Sequence, residues 1–105
     1  MTNEEKREAI FLIIASIPYG KVTTYGCVAE MASLKGYARF VGTTLKNLPN
    51  NSQIPWFRVI NSQGKISFPQ KSDKYLKQKL RLQEEGVEFK NEKVNLKRFQ
   101  WQLIS

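Results

Sequence analysis

Few side chains in this sequence can do covalent chemistry. There is no histidine and a single cysteine, Cys27. A lone cysteine makes no internal disulfide, which fits a reducing compartment. Without histidine, a zinc site would need a cage of carboxylates, which ordinary zinc sites do not use. Cys27 falls inside a helical stretch and reads as a small core residue rather than a nucleophile. The segment Ile54-Pro55-Trp56-Phe57-Arg58-Val59-Ile60 places two aromatic rings together. An indole has no accessible nucleophilic electron pair, and a benzyl ring cannot relay a proton. An indole does offer an apolar face and one N–H donor. Taken alone, a tyrosine such as Tyr25 is more often a half-buried packing residue, an arginine such as Arg39 a surface or phosphate contact, and a tryptophan such as Trp56 a core residue.

Charge narrows the partner. The formal net charge is +8, and it is not evenly spread. From Met31 to Gln83 ten basic residues face one acidic residue, Asp73, so that segment carries +9 and the remainder −1. A basic middle between near-neutral ends suits a polyanion. A solvated basic surface that aids solubility is the plain alternative. The chain has 105 residues, enough for one small domain with one modest core. No run of about 18 apolar residues is present, so no transmembrane helix is expected. The apolar stretch 9–17 follows Glu4, Glu5 and Glu8, unlike a basic secretory leader. A cytoplasmic location, nucleoid-associated when bound to DNA, is the resulting expectation.

The elements that must position these residues follow from periodicity. Thr2-Asn3-Glu4-Glu5 reads as a helix start with a capping box. The first helix should run to about Ser16, turning Ile10, Ile13, Ile14 and Ile17 inward. Thr24 is a plausible N-cap for a second helix through about Ser33. Leu34-Lys35-Gly36 makes a short turn, and a third helix spans about 37–47. Two short helices joined by a Gly-containing turn form a helix-turn-helix pattern. A strand over 57–60, a turn at 61–64 and a returning strand over 65–68 would make a wing. Ser72 or Asp73 caps a fourth helix that stops before Gly86. Residues 87–89 and 93–95 should pair around Asn91-Glu92. The tail, with Phe99, Trp101, Leu103 and Ile104, should fold back on the core. There are no repeats and no low-complexity segment.

Four motifs in order connect these elements to a known family. Ile54-Pro55-Trp56-Phe57-Arg58-Val59-Ile60 resembles the Ile-Pro-Cys-His-Arg-Val-Ile/Val motif of the O6-alkylguanine-DNA alkyltransferases. Ile17-Pro18-Tyr19-Gly20-Lys21-Val22-Thr23-Thr24-Tyr25-Gly26 resembles their Ile-Pro-x-Gly-x-Val-x-Thr/Ser-Tyr segment. Ala38-Arg39-Phe40-Val41-Gly42 and Glu84-Glu85-Gly86 resemble their Ala-Arg-x-Val-Gly and Glu-Gly. The resemblance covers roughly residues 10–90. The transferases carry a separate N-terminal domain for which this chain has no room. Trp56 stands where the family has its alkyl-accepting cysteine, and Phe57 where it has the histidine that relays the proton. That combination resembles the alkyltransferase-like proteins, which bind alkylated DNA without repairing it.

The resemblance implies roles for individual residues. Arg39 would enter the base stack from the minor groove and fill the gap left by a flipped nucleotide, offsetting part of the unstacking cost. Tyr25 would promote nucleotide rotation and hydrogen-bond the flipped base. Thr24 would contact phosphate through its hydroxyl or the helix-start amides. Gly42 inside a helix costs about 1 kcal/mol relative to Ala; helix packing or close approach to the minor groove would each explain it, and the family pattern favours the latter. Ala38 belongs to the same motif, and Lys46 to the basic face that supplies generic affinity. Trp56 would line the base pocket. The carbonyls of Trp56 and Val59 would accept from the guanine amino group, and the amide near Gln70 would donate toward the alkylated oxygen. Glu85, without its relay partners, becomes a structural acceptor, and Arg58 an ion-pair or loop-bracing residue. Two departures stand out. Leu48 precedes Pro49 where the family has Asn, so a hinge hydrogen bond is lost or replaced. Pro69 in the segment Phe68-Pro69-Gln70-Lys71 lacks an N–H, which would widen the pocket.

The expectation is therefore an α+β, mostly helical chain: a winged helix-turn-helix domain, residues 1–105, resembling the C-terminal domain of the alkyltransferases. It would bind O6-alkylguanine in duplex DNA by minor-groove docking and nucleotide flipping, without alkyl transfer and without a cofactor. It would act as a monomer, off the membrane, and mark the lesion for the damage-recognition proteins of nucleotide excision repair. A winged-helix transcription regulator reading undamaged DNA is the alternative. An active transferase using Cys27 is a third reading, disfavoured by that residue's position.

Overall fold

The first helix begins where its side chains can close their own backbone. In the computed structural model, which describes residues 1–49 and 51–102, Thr2 Oγ1 accepts from the Glu5 amide while Glu5 Oε1 accepts from the Thr2 amide. This reciprocal cap starts α1 (Asn3–Ala15). Ile10, Ile14 and Ile17 follow at helical spacing and are fully buried, with Ile13 half-buried beside them.

Thr24 ends β1 (Thr23–Thr24) and caps α2 (Tyr25–Met31) by accepting from the Cys27 amide at 3.2 Å. The second helix stops two residues short of the expected Ser33. Ser33 takes a positive φ of 63°, and the Leu34 amide turns back to the Ala29 carbonyl at 2.7 Å. Gly36, at φ +88°, completes the turn into α3 (Ala38–Lys46). Val41, Thr44 and Leu45 form the inner face of α3, and Arg39, Thr43 and Lys46 its outer face. The helix-turn-helix is therefore formed as the sequence implies, with α2 and α3 packed on α1.

The segment after α3 differs from expectation. Trp56–Arg58 form a 3-10 turn, and only Val59–Ile60 are extended, as β2. β2 pairs in parallel with β1, Thr23 opposite Val59 and Thr24 opposite Ile60. Residues 65–68 form no strand, so the expected hairpin is absent among the described residues. The cause is local. Asn61 Oδ1 accepts from the amides of both Gln63 and Lys65, at 2.9 Å each, and so closes a turn instead of a ladder. Gly64 then meets a different partner: its carbonyl accepts from the Val94 amide at 2.9 Å. At φ +81°, a Cβ on residue 64 would lie 2.5 Å from the Val94 carbonyl oxygen, so only glycine fits.

Ser72 caps α4 (Asp73–Glu84), which ends before Gly86 at φ +87°. β3 (Phe89–Lys90) and β4 (Lys93–Val94) pair antiparallel around Asn91 and Glu92, both at positive φ. Asn95 caps α5 (Leu96–Phe99). The tail does fold back. The Val22 amide donates to the Phe99 carbonyl at 3.0 Å, and the Trp101 amide to the Val22 carbonyl at 2.7 Å. Leu103 and Ile104 lie outside the described residues.

Two apolar clusters result. One gathers α1, α2 and α3 around Ile10, Ile14, Val28, Val41 and Leu45. The other gathers Phe57, Ile60, Tyr75, Leu82 and Val94. Trp56 packs against both, so the turn that carries it sits at their seam. No helix of the described residues is long and apolar enough to cross a membrane.

Candidate functional site

A cavity of about 440 Å³ opens at that seam, a size usual for small-molecule sites. Its walls come from four places in the chain: Tyr25 at the start of α2; Ala38, Arg39, Gly42 and Lys46 along α3; Trp56 and Val59 on the 3-10 turn and β2; and Ser67, Phe68 and Gln78 from the loop and α4. Residues separated by fifty positions thus meet because β1 and β2 lie side by side, bringing the turn before β2 against the helix after β1.

Trp56 is held firmly. Its ring stands edge-on to Phe57 (centroids 6.0 Å apart, interplanar 86°) and to Phe68 (6.3 Å, 85°). It also walls a neighbouring cavity of about 310 Å³, shared with Leu45 and Phe68 and edged by Asp73, Lys74 and Lys77. Tyr25 is mostly buried. Burial pushes its phenol above the ordinary tyrosine range, and a hydrogen bond with the Ser67 side chain draws it partly back. The phenol is therefore neutral at physiological pH and able to donate or accept. Gly42 faces the Tyr25 ring. A Cβ there would sit 3.9 Å from Cδ1, an ordinary contact, so the protein interior does not require glycine.

Of the candidate residues, Tyr25, Ala38, Arg39, Gly42, Lys46, Trp56 and Val59 are brought together around this cavity. Arg39 and Lys46 are exposed on its α3 side. Thr24 is buried, and its hydroxyl is spent on the Cys27 amide as the α2 cap. Gln70 is not part of the cavity wall. The Pro69 carbonyl accepts both the amide and the hydroxyl of Ser72, at 2.9 and 2.7 Å, which ties this turn to the start of α4 and leaves Gln70 exposed. Ser67 and Phe68 line the cavity in its place. Cys27 is half-buried rather than a core residue, accepts from Gln100 Nε2 at 3.5 Å, and does not line the cavity.

Behind Trp56 the chain is braced by an ion pair. Arg58 Nη2 lies 2.6 Å from Glu85 Oε2, and Arg58 Nε 3.0 Å from Oε1. Arg58 Nη1 also donates to the Ile17 carbonyl at 2.8 Å, and Glu85 Oε1 accepts from the Gly20 amide at 2.9 Å. One buried pair thus joins the end of α1, the 3-10 turn and the end of α4, the bracing role anticipated for Arg58 and Glu85. Phe57 is buried between cations, with the Arg81 guanidinium 4.6 Å and the Arg58 guanidinium 5.3 Å from its ring centre.

Gln78 was missed from the sequence. It lies on the inner face of α4 with Tyr75 and Leu82, at spacings of three and four residues, and is buried. A polar residue inside an apolar stripe is a readable sign of a buried polar group, but that it lines this cavity depends on where α4 packs.

Comparison with known proteins agrees with this geometry. Residues 5–87 match the sequence model of the family described as 6-O-methylguanine DNA methyltransferase, DNA binding domain. A protein of Vibrio parahaemolyticus named DNA base-flipping protein is 52% identical over 94 residues, covering 89% of this chain and 92% of its own length. Alkyltransferase-like protein 1 of Schizosaccharomyces pombe is 41% identical, covering 96% of this chain and 98% of its own. The crystal structure of S. pombe Atl1 in complex with damaged DNA containing O6-carboxymethylguanine superposes with a TM-score of 0.91 at 40% identity, covering 98% of this chain and all of that one. The fold is thus the winged-helix class of the transferase DNA-binding domain, although the residues expected to form its hairpin make a loop.

Proposed function

The chain belongs to the alkyltransferase-like proteins, within the family of the 6-O-methylguanine DNA methyltransferase DNA-binding domain, and from this membership we propose that it senses O6-alkylguanine in duplex DNA without repairing it. The helix-turn-helix docks on the minor groove through α3. Arg39 enters the base stack, and the displaced nucleotide rotates past Tyr25 into the 440 Å³ cavity. The observation that carries this reading is the position of Arg39. It is an exposed cation on the wall of an apolar cavity that also presents Trp56 and Tyr25. An inserted side chain beside a base-sized pocket is what nucleotide flipping requires.

No alkyl transfer follows. Trp56 occupies the cavity wall where a nucleophile would be needed, and the chain's thiol, Cys27, is not part of that wall. Phe57 lies between Trp56 and the Arg58–Glu85 pair and carries no titratable group. Binding energy does the work, and no cofactor is called for. The resemblance to the alkyltransferase-like proteins supports a monomer that marks the lesion in the cytoplasm for the damage-recognition proteins of nucleotide excision repair.

The test is to mix the protein with duplexes carrying O6-methylguanine or guanine at one position. Tighter binding to the lesion, a rise in fluorescence from a base analogue beside it, and an unchanged intact mass are expected. A stoichiometric gain of one methyl group would make the protein a transferase. Preference for one undamaged sequence over the lesion would make it a regulator.

A further inference from the structure

The α3 helix has a cavity on each flank. Arg39, Gly42 and Lys46 line the 440 Å³ cavity. On the opposite flank Phe40, Thr44 and Asn47 line a cleft of about 400 Å³, which Arg7 and Phe11 of α1 close from the other side. Thr43 is exposed on the ridge between and borders both. Within the cleft Arg7 is half-buried and, among the described residues, forms no ion pair. Its neighbour Lys6 is already engaged: the ammonium lies 4.7 Å from the Tyr37 ring centre and 5.9 Å from that of Phe40. Tyr37 and Phe40 meet edge-on, 6.1 Å apart at 81°, so the aromatic wall of the cleft is set from behind. No carboxylate lines the cleft, whereas Asp73 edges the cavity behind Trp56. A guanidinium, the Thr43 hydroxyl and the Asn47 amide thus share one cleft without a counter-ion. That donor set suits a phosphodiester.

Helix and groove dimensions name the strand. An α-helix is about 10–12 Å across with its side chains, and the minor groove is about 6 Å wide. A helix docked there rests on the groove's rims and meets both backbones, one on each flank. The flank beside Tyr25 and Trp56 receives the strand that yields its base. The flank beside α1 therefore faces the complementary strand. We infer that the cleft between α1 and α3 binds a phosphodiester of the strand opposite the lesion, with Arg7 supplying the charge. This rests on the lesion-binding reading and adds α1 to the interface, outside the basic span 31–83. The protein holds the strand that stays stacked while it rotates a nucleotide out of the other.

The experiment is a cycle between one side chain and single phosphates. Duplexes carry O6-methylguanine, and one phosphate at a time near the lesion, in either strand, is replaced by an uncharged methylphosphonate. Arg7→Gln removes the charge and keeps a good helix former. On the unmodified lesion duplex this variant should bind about tenfold more weakly at low salt, with the salt slope reduced by about one unit. At one position of the undamaged strand the methylphosphonate should weaken wild-type protein by a similar factor and change Arg7→Gln by no more than about twofold. Replacements in the lesion strand should change the two proteins alike. Coupling of Arg7 to a lesion-strand phosphate, or to no phosphate, overturns the inference and leaves the lesion-binding reading standing. If wild-type protein binds a guanine duplex as tightly as the lesion duplex, the lesion-binding reading fails and takes this one with it. Should Arg7→Gln fail to fold, the Arg7 Nε–Hε resonance of wild-type protein decides. It should move on binding the unmodified lesion duplex and stay in place when one undamaged-strand phosphate is neutralised; equal movement with every undamaged-strand replacement overturns the inference.

Discussion

Gly42 separates the demands of the protein from those of its ligand. Inside α3 it costs about 1 kcal/mol relative to Ala, and a Cβ would find ordinary contact with the Tyr25 ring at 3.9 Å. Gly42→Ala should therefore raise stability by up to about 1 kcal/mol in a denaturant titration and yet weaken DNA binding at least fivefold. If stability rises and binding is unchanged, the α3 face does not approach DNA closely. The sequence was legible at this scale where a side chain acts through its own chemistry. The absence of histidine and the presence of Trp56 in the motif that resembles the transferases' needed no coordinates. Gln78 and Ser67 were not legible as cavity walls, because their role depends on α4 and the preceding loop meeting the turn before β2. Gln70 was misplaced for a related reason: the Pro69 carbonyl is committed to Ser72, a bond that alignment by motif does not show.

Among the elements, the Arg58–Glu85 pair explains how the site keeps its shape. Its side chains are 15% and 8% exposed, and it ties together the end of α1, the 3-10 turn and the end of α4. Removing one partner of a buried pair leaves the other charge unmatched and costs about 3–5 kcal/mol. Glu85→Ala should lower the unfolding free energy by about that amount, while Arg58→Met/Glu85→Leu together should cost less than Glu85→Ala alone. A double variant that loses as much as the two single variants added together would mean that the two residues act independently. The starts of α1, α2 and α4 were readable from caps, since Thr2, Thr24 and Ser72 all accept the expected amides. The wing was not. The turn residues at 61–64 between two short runs suggested a hairpin, but Asn61 satisfied the Lys65 amide locally, and β2 found its partner in β1, far away in sequence. Two-residue parallel pairing leaves too short a pattern to detect.

At the scale of the whole molecule, the proposed function assigns generic and specific binding to different residues. The net charge of +8 is concentrated between residues 31 and 83, and within that span Lys46 is exposed at the cavity margin. Lys46→Ala should weaken binding to damaged and undamaged duplexes alike, preserve their ratio, and reduce the slope of log affinity against log salt by about one unit. A changed ratio would show that Lys46 reads the lesion. Trp56 stands at the other extreme, carrying no charge and forming the aromatic wall between two cavities. The most direct measurement is a pair of titrations with Trp56→Ala, on O6-methylguanine and guanine duplexes at one fixed salt concentration, with circular dichroism confirming the fold at the assay temperature. Loss of about 1–3 kcal/mol of stacking should lower lesion affinity roughly five- to 150-fold and abolish the preference, with binding to the undamaged duplex almost unchanged. Equal weakening on both duplexes by a folded variant would contradict the account, because Trp56 would then be scaffold and the lesion would be held elsewhere.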